Sequence, residues 1–122
     1  MRILIIDDSK FIGKMVGEMV SPKGHQFEHA LDGKEALDLL EKDSKFDIIL
    51  LDWNMPNLDG VGFLEEALEK KLHLCPIIMM TTENSPEKIM KAIGLGASEY
   101  IMKPFTPDIL FGKIDQVTKR AS

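Results

Sequence analysis

At 122 residues the chain can bury one hydrophobic core but not two of comparable size, so a single domain over 1–122 is expected. Hydrophobic residues make up 44% and charged residues 29%, which excludes a disordered or fibrous chain. The net charge of -5 argues against a broad nucleic-acid footprint, and apolar runs such as 48–51 fall far short of the roughly 20 residues a membrane helix needs.

The start, Met1-Arg2-Ile3-Leu4-Ile5-Ile6-Asp7-Asp8, lacks the apolar length and small-residue cleavage site of a signal peptide. It reads as a first strand, and a cytoplasmic location is the default expectation. In the stretch that follows, Phe11, Ile12, Met15, Val16, Met19 and Val20 recur at three- and four-residue steps and predict a helix with one apolar stripe, closed by Pro22 and Gly24. Segment 26–31 alternates Phe27, His29 and Leu31 with Gln26, Glu28 and Ala30, the pattern of an edge strand. A second helix carries Ala36, Leu37, Leu39 and Leu40.

Run 48–51 is a third strand, and Phe63, Leu64, Ala67 and Leu68 mark a third helix. Cys75 is alone, which rules out an internal disulfide, and its place beside Pro76 and an apolar run reads as packing rather than reactivity. Run 77–80 is a fourth strand. Ser85 and Pro86 then offer a cap and first residue for a helix burying Ile89, Met90 and Ile93 and ending at Gly94 or Gly96. Run 100–102 is a fifth strand, and a fifth helix opened by Thr106-Pro107 packs Ile109 or Leu110, Ile114 and Val117, leaving 118–122 as a fraying tail.

The central runs are apolar throughout, so both faces of their sheet must be covered. Strand and helix alternate five times, which demands a doubly wound parallel α/β fold but leaves strand order open. Each central run stops at a polar residue: Asp7 and Asp8, then Asp52, Thr81 and Lys103. In a parallel sheet these stops share one rim, where open α/β sheets bind ligands.

Carboxylates gathered there repel unless a cation enters, and a hard divalent ion suits them. Magnesium fits an open rim of one or two carboxylates plus water, with manganese as an alternative. Asp52, at the centre, is the expected nucleophile toward phosphorus, giving an acyl phosphate. The Lys103 ammonium and Thr81 hydroxyl are placed to hold phosphoryl oxygens.

These residues, with Asp52-Trp53-Asn54-Met55-Pro56-Asn57-Leu58-Asp59-Gly60, Gly96-Ala97-Ser98-Glu99-Tyr100 and Lys103-Pro104-Phe105, closely resemble the receiver domains of two-component response regulators over almost the whole chain. The resemblance implies a flavodoxin-like (βα)5 sheet ordered 2-1-3-4-5. It makes Asp52 the phosphoacceptor, places the metal on Asp7, Asp8, Asp52 and the Asn54 backbone carbonyl, and implies a cis bond between Lys103 and Pro104. Thr81 and Tyr100 become switch residues, read out on the fourth helix, fifth strand and fifth helix through Lys88, Lys91, Tyr100 and Lys113. Asn54, Thr82 and Glu83 fall where relatives tune the lifetime of the phosphorylated state.

A sensor histidine kinase is the implied donor, and the likeness to single-domain chemotaxis members adds a flagellar motor switch protein and a phosphatase as partners. The chain is expected to act as a monomeric, stand-alone switch rather than a true enzyme. A phosphorelay intermediate or a receiver from a longer regulator is the alternative.

Blander readings exist for each residue. Asp7 or Asp8 alone reads as a helix cap, Lys103 as a loop lysine, Thr81 as a strand end, and Trp53 as a half-exposed ring that would report on ligands by fluorescence. His25, His29 and His73 are scattered and not expected to be ligands or bases, and Met15, Met19, Met79 and Met80 read as core. Haloacid-dehalogenase-like phosphatases need D-x-D after the first strand, where Asp7-Asp8-Ser9 stands. Gly60 and Gly62 form no phosphate-cradling loop, and three carboxylates would repel a flavin phosphate.

Overall fold

The computed structural model describes residues 1–43, 45–72, 75–82 and 85–121. Its elements run β1 (Arg2–Ile6), α1 (Lys10–Val20), a 3-10 turn (Ser21–Lys23), β2 (Gln26–Ala30), α2 (Gly33–Lys42), β3 (Ile48–Asp52), α3 (Gly60–Glu69), β4 (Ile77–Thr81), α4 (Pro86–Gly94), β5 (Glu99–Met102) and α5 (Pro107–Ala121). All strand pairs are parallel, and the sheet order is β2-β1-β3-β4-β5.

Successive strand residues point to opposite faces, and this alternation divides the core. Leu4, Ile6, Ile49, Leu51 and Met79 face the layer holding Leu37 of α2, Leu64 of α3 and Ala92 of α4. Ile3, Ile5, Ile48, Leu50, Ile78 and Met80 face Val16 of α1 and Leu110, Ile114 and Val117 of α5. Each fully buried branched side chain contributes about 1.5–3 kcal/mol, so the two layers clamp the strands from both sides.

Several helical expectations need correction. Phe11 is 73% exposed, because α1 packs through Gly13, Val16, Gly17 and Val20, and the two glycines admit the His29 and Phe27 rings of β2. That contact turns the stripe, and Phe11 points away from it. On α4 only Ala92 is buried, while Met90 and Ile93 are 67% and 44% exposed. Ile89 is half-buried, so the apolar arc of the helix is wider than the surface it covers. Leu68 and Ile109 are also exposed, leaving Leu110 as the core residue of α5.

Ser85 occupies the N-cap of α4, but its side chain makes no capping bond. Residues 118–121 continue α5, with the Thr118 hydroxyl donating to the Ile114 carbonyl at 2.8 Å, and Ser122 lies outside the described residues. Met79 and Met80 are core residues on opposite faces of the sheet, and Met15 and Met19 pack against the layer that holds Met80. Cys75 is half-buried, and desolvation pushes its thiol up to about 11, so it is a poor nucleophile. His73 and Glu83 lie outside the described residues.

Candidate functional site

From β1 the chain passes through α1 on one face, and from β3 it passes through α3 on the other, which opens a crevice between the two strand ends. Asp52 is the last residue of β3, while Asp7 and Asp8 follow β1 directly. One carboxylate oxygen from each lies within 4.8 Å of the others. Asp7 and Asp52 are buried, at 1% and 6% exposure, and Asp8 opens to solvent.

Lys103 follows β5 and bridges the two buried acids. Its Nζ donates to Asp7 Oδ2 and to Asp52 Oδ1, each at 2.9 Å. Its own N–H is tied to the Thr81 carbonyl at 2.9 Å, its bond to Pro104 is cis, and buried Phe105 follows in the core. Asp7 Oδ1 also accepts from the Ser9 N–H at 2.9 Å, and the Ser9 hydroxyl caps α1 by accepting from the Ile12 N–H.

Charge explains the ionisation of the group. Burial pushes the Asp52 carboxyl above its ordinary range; Lys103 opposes that, and Asp7 and then Asp8 add to it. For Lys103 burial acts downward, yet its bonds to Asp52 and Asp7 prevail and hold the ammonium above its usual value. The two shifts point upward for different reasons: burial dominates at Asp52, and the bonds to two acids dominate at Lys103. Three carboxylates and one ammonium leave two negative charges uncompensated.

Those residues fit a hard divalent cation: all donors are oxygens, the charge deficit is two, and one carboxylate faces water. Asn54 sits in the exposed loop after β3, and among the described residues no donor engages its carbonyl. The loop itself is pinned, since Asn57 Nδ2 donates to Asp32 Oδ2 at 2.9 Å while Asp32 Oδ1 caps α2. The Glu35 N–H and Asn57 together hold the Asp32 carboxyl below its ordinary range.

Thr81 ends β4 and is buried, one strand from Asp52. It lines an apolar recess with Trp53, Met79, Ile89, Ala92, Ile93, Glu99 and the half-buried Tyr100. Over the Tyr100 ring stands Lys113 Nζ, 5.1 Å from its centre. Thr82 is exposed.

Sequence reasoning missed two contributors. Gly60 opens α3 so close to β3 that a Cβ there would lie 2.6 Å from the Asp52 carbonyl oxygen. His29 Nε2 lies 2.7 Å from the Asp7 carbonyl oxygen. The edge-strand alternation put His29 with Phe27 on one face, and that was the available signal.

A doubly wound sheet with a lysine-bridged acidic pocket at its switch point defines an open α/β class whose ligand site lies at the strand ends. Residues 3–115 match the family described as "Response regulator receiver domain", and the chain belongs to that receiver family of two-component signalling. It is similar to a "Chemotaxis protein CheY homolog" of Campylobacter jejuni, at 36% identity over 96% of this chain and 92% of that one. Similarity to "Chemotaxis protein CheY-3" of Vibrio cholerae is 37% over 98% and 93%. Among solved structures, Vibrio cholerae CheY4 superposes with a TM-score of 0.86 at 37% identity, covering 95% of this chain and 97% of that one. The receiver domain of Francisella response regulator 1452 gives 0.86 at 30%, covering 99% and 98%.

Proposed function

We propose that the 122 residues work as one receiver unit in which Asp52 accepts a phosphoryl group and thereby switches a distant surface. The bridge from Lys103 to both Asp7 and Asp52 at 2.9 Å supports this most directly. It assembles a nucleophile, a cation and a charge deficit of two in one crevice.

Asp7, Asp8, Asp52 and the Asn54 carbonyl would hold magnesium, which when bound supplies positive charge beside the phosphoryl oxygens. A carboxylate oxygen of Asp52 attacks phosphorus in line, the bond from phosphorus to the donor imidazole nitrogen breaks, and that nitrogen keeps the electron pair. Lys103 then exchanges its carboxylate contact for a phosphoryl oxygen, and the Thr81 hydroxyl donates to another. Hydrolysis of the acyl phosphate resets the chain, with Asn54 and Thr82 beside the route of water.

Movement of Thr81 toward the phosphoryl group vacates space in the recess it shares with Tyr100, and the tyrosine ring turns inward. The readout is the face of α4, β5 and α5, where Met90, Ile93, Met102 and Ile109 are exposed among Lys88, Lys91 and Lys113. Such a face suits a partner helix or peptide. The chemotaxis proteins among the relatives favour a flagellar motor switch protein as that partner, a sensor histidine kinase as donor and a separate phosphatase.

Treatment with acetyl phosphate and magnesium, followed by peptide mapping, tests the assignment. One phosphoryl group is expected on the peptide containing Asp52, and none there in Asp52→Asn. Full labelling of that variant at the same peptide would overturn it.

A further inference from the structure

His29 lies on the edge strand β2, and its role follows from where β2 stops serving β1. Ile6 pairs with Ala30, and the Asp7 N–H donates to the Ala30 carbonyl at 3.0 Å. The Asp7 carbonyl is then taken by a side chain rather than by the strand: His29 Nε2 sits 2.7 Å from it. A carbonyl only accepts, so that ring nitrogen carries the proton and donates. Access depends on α1, because the ring lies across Gly13, where a Cβ would overlap it.

The two acids that follow β1 are supported unequally. The Asp7 carboxylate is held by Lys103 and by the Ser9 N–H. Asp8 is exposed, and among the described residues no hydrogen bond or ion pair orients its carboxylate. The backbone therefore sets the point and bond direction from which that side chain departs. The peptide joining Asp7 to Asp8 is planar, so fixing the Asp7 carbonyl fixes the plane from which the Asp8 side chain departs.

We propose that His29 is a positioning residue for the metal site: it holds the Asp7–Asp8 peptide against β2, with Gly13 making room, and so presents the Asp8 carboxylate to the cation. This rests on the magnesium reading above. Partners that orient a metal ligand without touching the metal are worth about 10–100-fold in affinity. The bland alternative is a histidine that merely satisfies a carbonyl at the sheet edge.

Magnesium titrations followed by Trp53 fluorescence separate the two. His29→Leu is expected to raise the magnesium Kd about tenfold. His29→Gln, whose amide can donate from nearly the same place, retains most of the affinity. In an Asp8→Ala background His29→Leu adds no further loss, because the two act through one carboxylate. Gly13→Ala keeps the imidazole but displaces it, and also weakens binding.

An unchanged Kd in folded His29→Leu, or an equal loss in the Asp8→Ala background, overturns the inference. If His29→Leu does not fold, Gly13→Ala decides: wild-type affinity there overturns it and weakened affinity supports it. A parent protein with no saturable magnesium response, by fluorescence or calorimetry, defeats the magnesium reading and this inference together, whereas a binding parent with an indifferent histidine defeats only the latter.

Discussion

Asp52 is held in an environment that favours its neutral form, and the opposing pull of Lys103 does not cancel burial. A carboxyl whose folded pKa is raised weakens the fold as pH climbs through that value, since the unfolded chain carries the same charge in water. Asp52→Asn should therefore melt higher than the parent at neutral pH in a chelator. The difference should shrink as pH falls into the carboxylate range, where Asp52 takes up its own proton, and shrink again when magnesium is added to the parent. Differential scanning calorimetry measures this, and a lower melting temperature for Asp52→Asn in chelator at neutral pH would contradict it.

At the scale of elements, the site depends on how closely α3 approaches β3. The Gly60 N–H donates to the Trp53 carbonyl at 3.1 Å, and a Cβ at Gly60 would meet the Asp52 carbonyl, a backbone atom that cannot swing aside. Alanine improves helix propensity by up to about 1 kcal/mol, but forced overpacking costs about 1–3 kcal/mol, and at the first helical residue the propensity gain is small. Gly60→Ala should be destabilising by about 1–3 kcal/mol in urea unfolding. A neutral or stabilising effect would show that α3 can move off the strand freely.

Four apolar runs that stop at Asp7, Asp52, Thr81 and Lys103 revealed the sheet and its functional rim, because strand burial and strand ends are written locally. The exposure of Phe11, Met90 and Ile93 was not legible, since it depends on which face a neighbouring element covers. Gly13 and Gly17 rotate α1 toward β2, and α4 buries only Ala92 fully. Strand order came from family likeness, and the His29 contact required knowing that β2 lies beside β1.

For the molecule as a whole, the proposed switch carries chemistry at the crevice to the face of α4, β5 and α5 through Thr81 and Tyr100. Their shared recess borders Ile89 and Ile93, so a turned ring changes the support beneath α4. With beryllofluoride and magnesium as a phosphoryl mimic, amide shifts at Met90 and Ile93 should be large in the parent and much reduced in Tyr100→Ala, while shifts at Asp52 persist in both. Undiminished α4 shifts in Tyr100→Ala would place the relay elsewhere.

Phosphorus-31 NMR of the protein turning over acetyl phosphate with magnesium reports directly on the bond that Asp52 is assigned. The expected result is an acyl-phosphate resonance that decays when donor is exhausted and never appears in Asp52→Asn. A phosphoester or phosphoramidate resonance in its place, or an undiminished acyl-phosphate signal from Asp52→Asn, would contradict it.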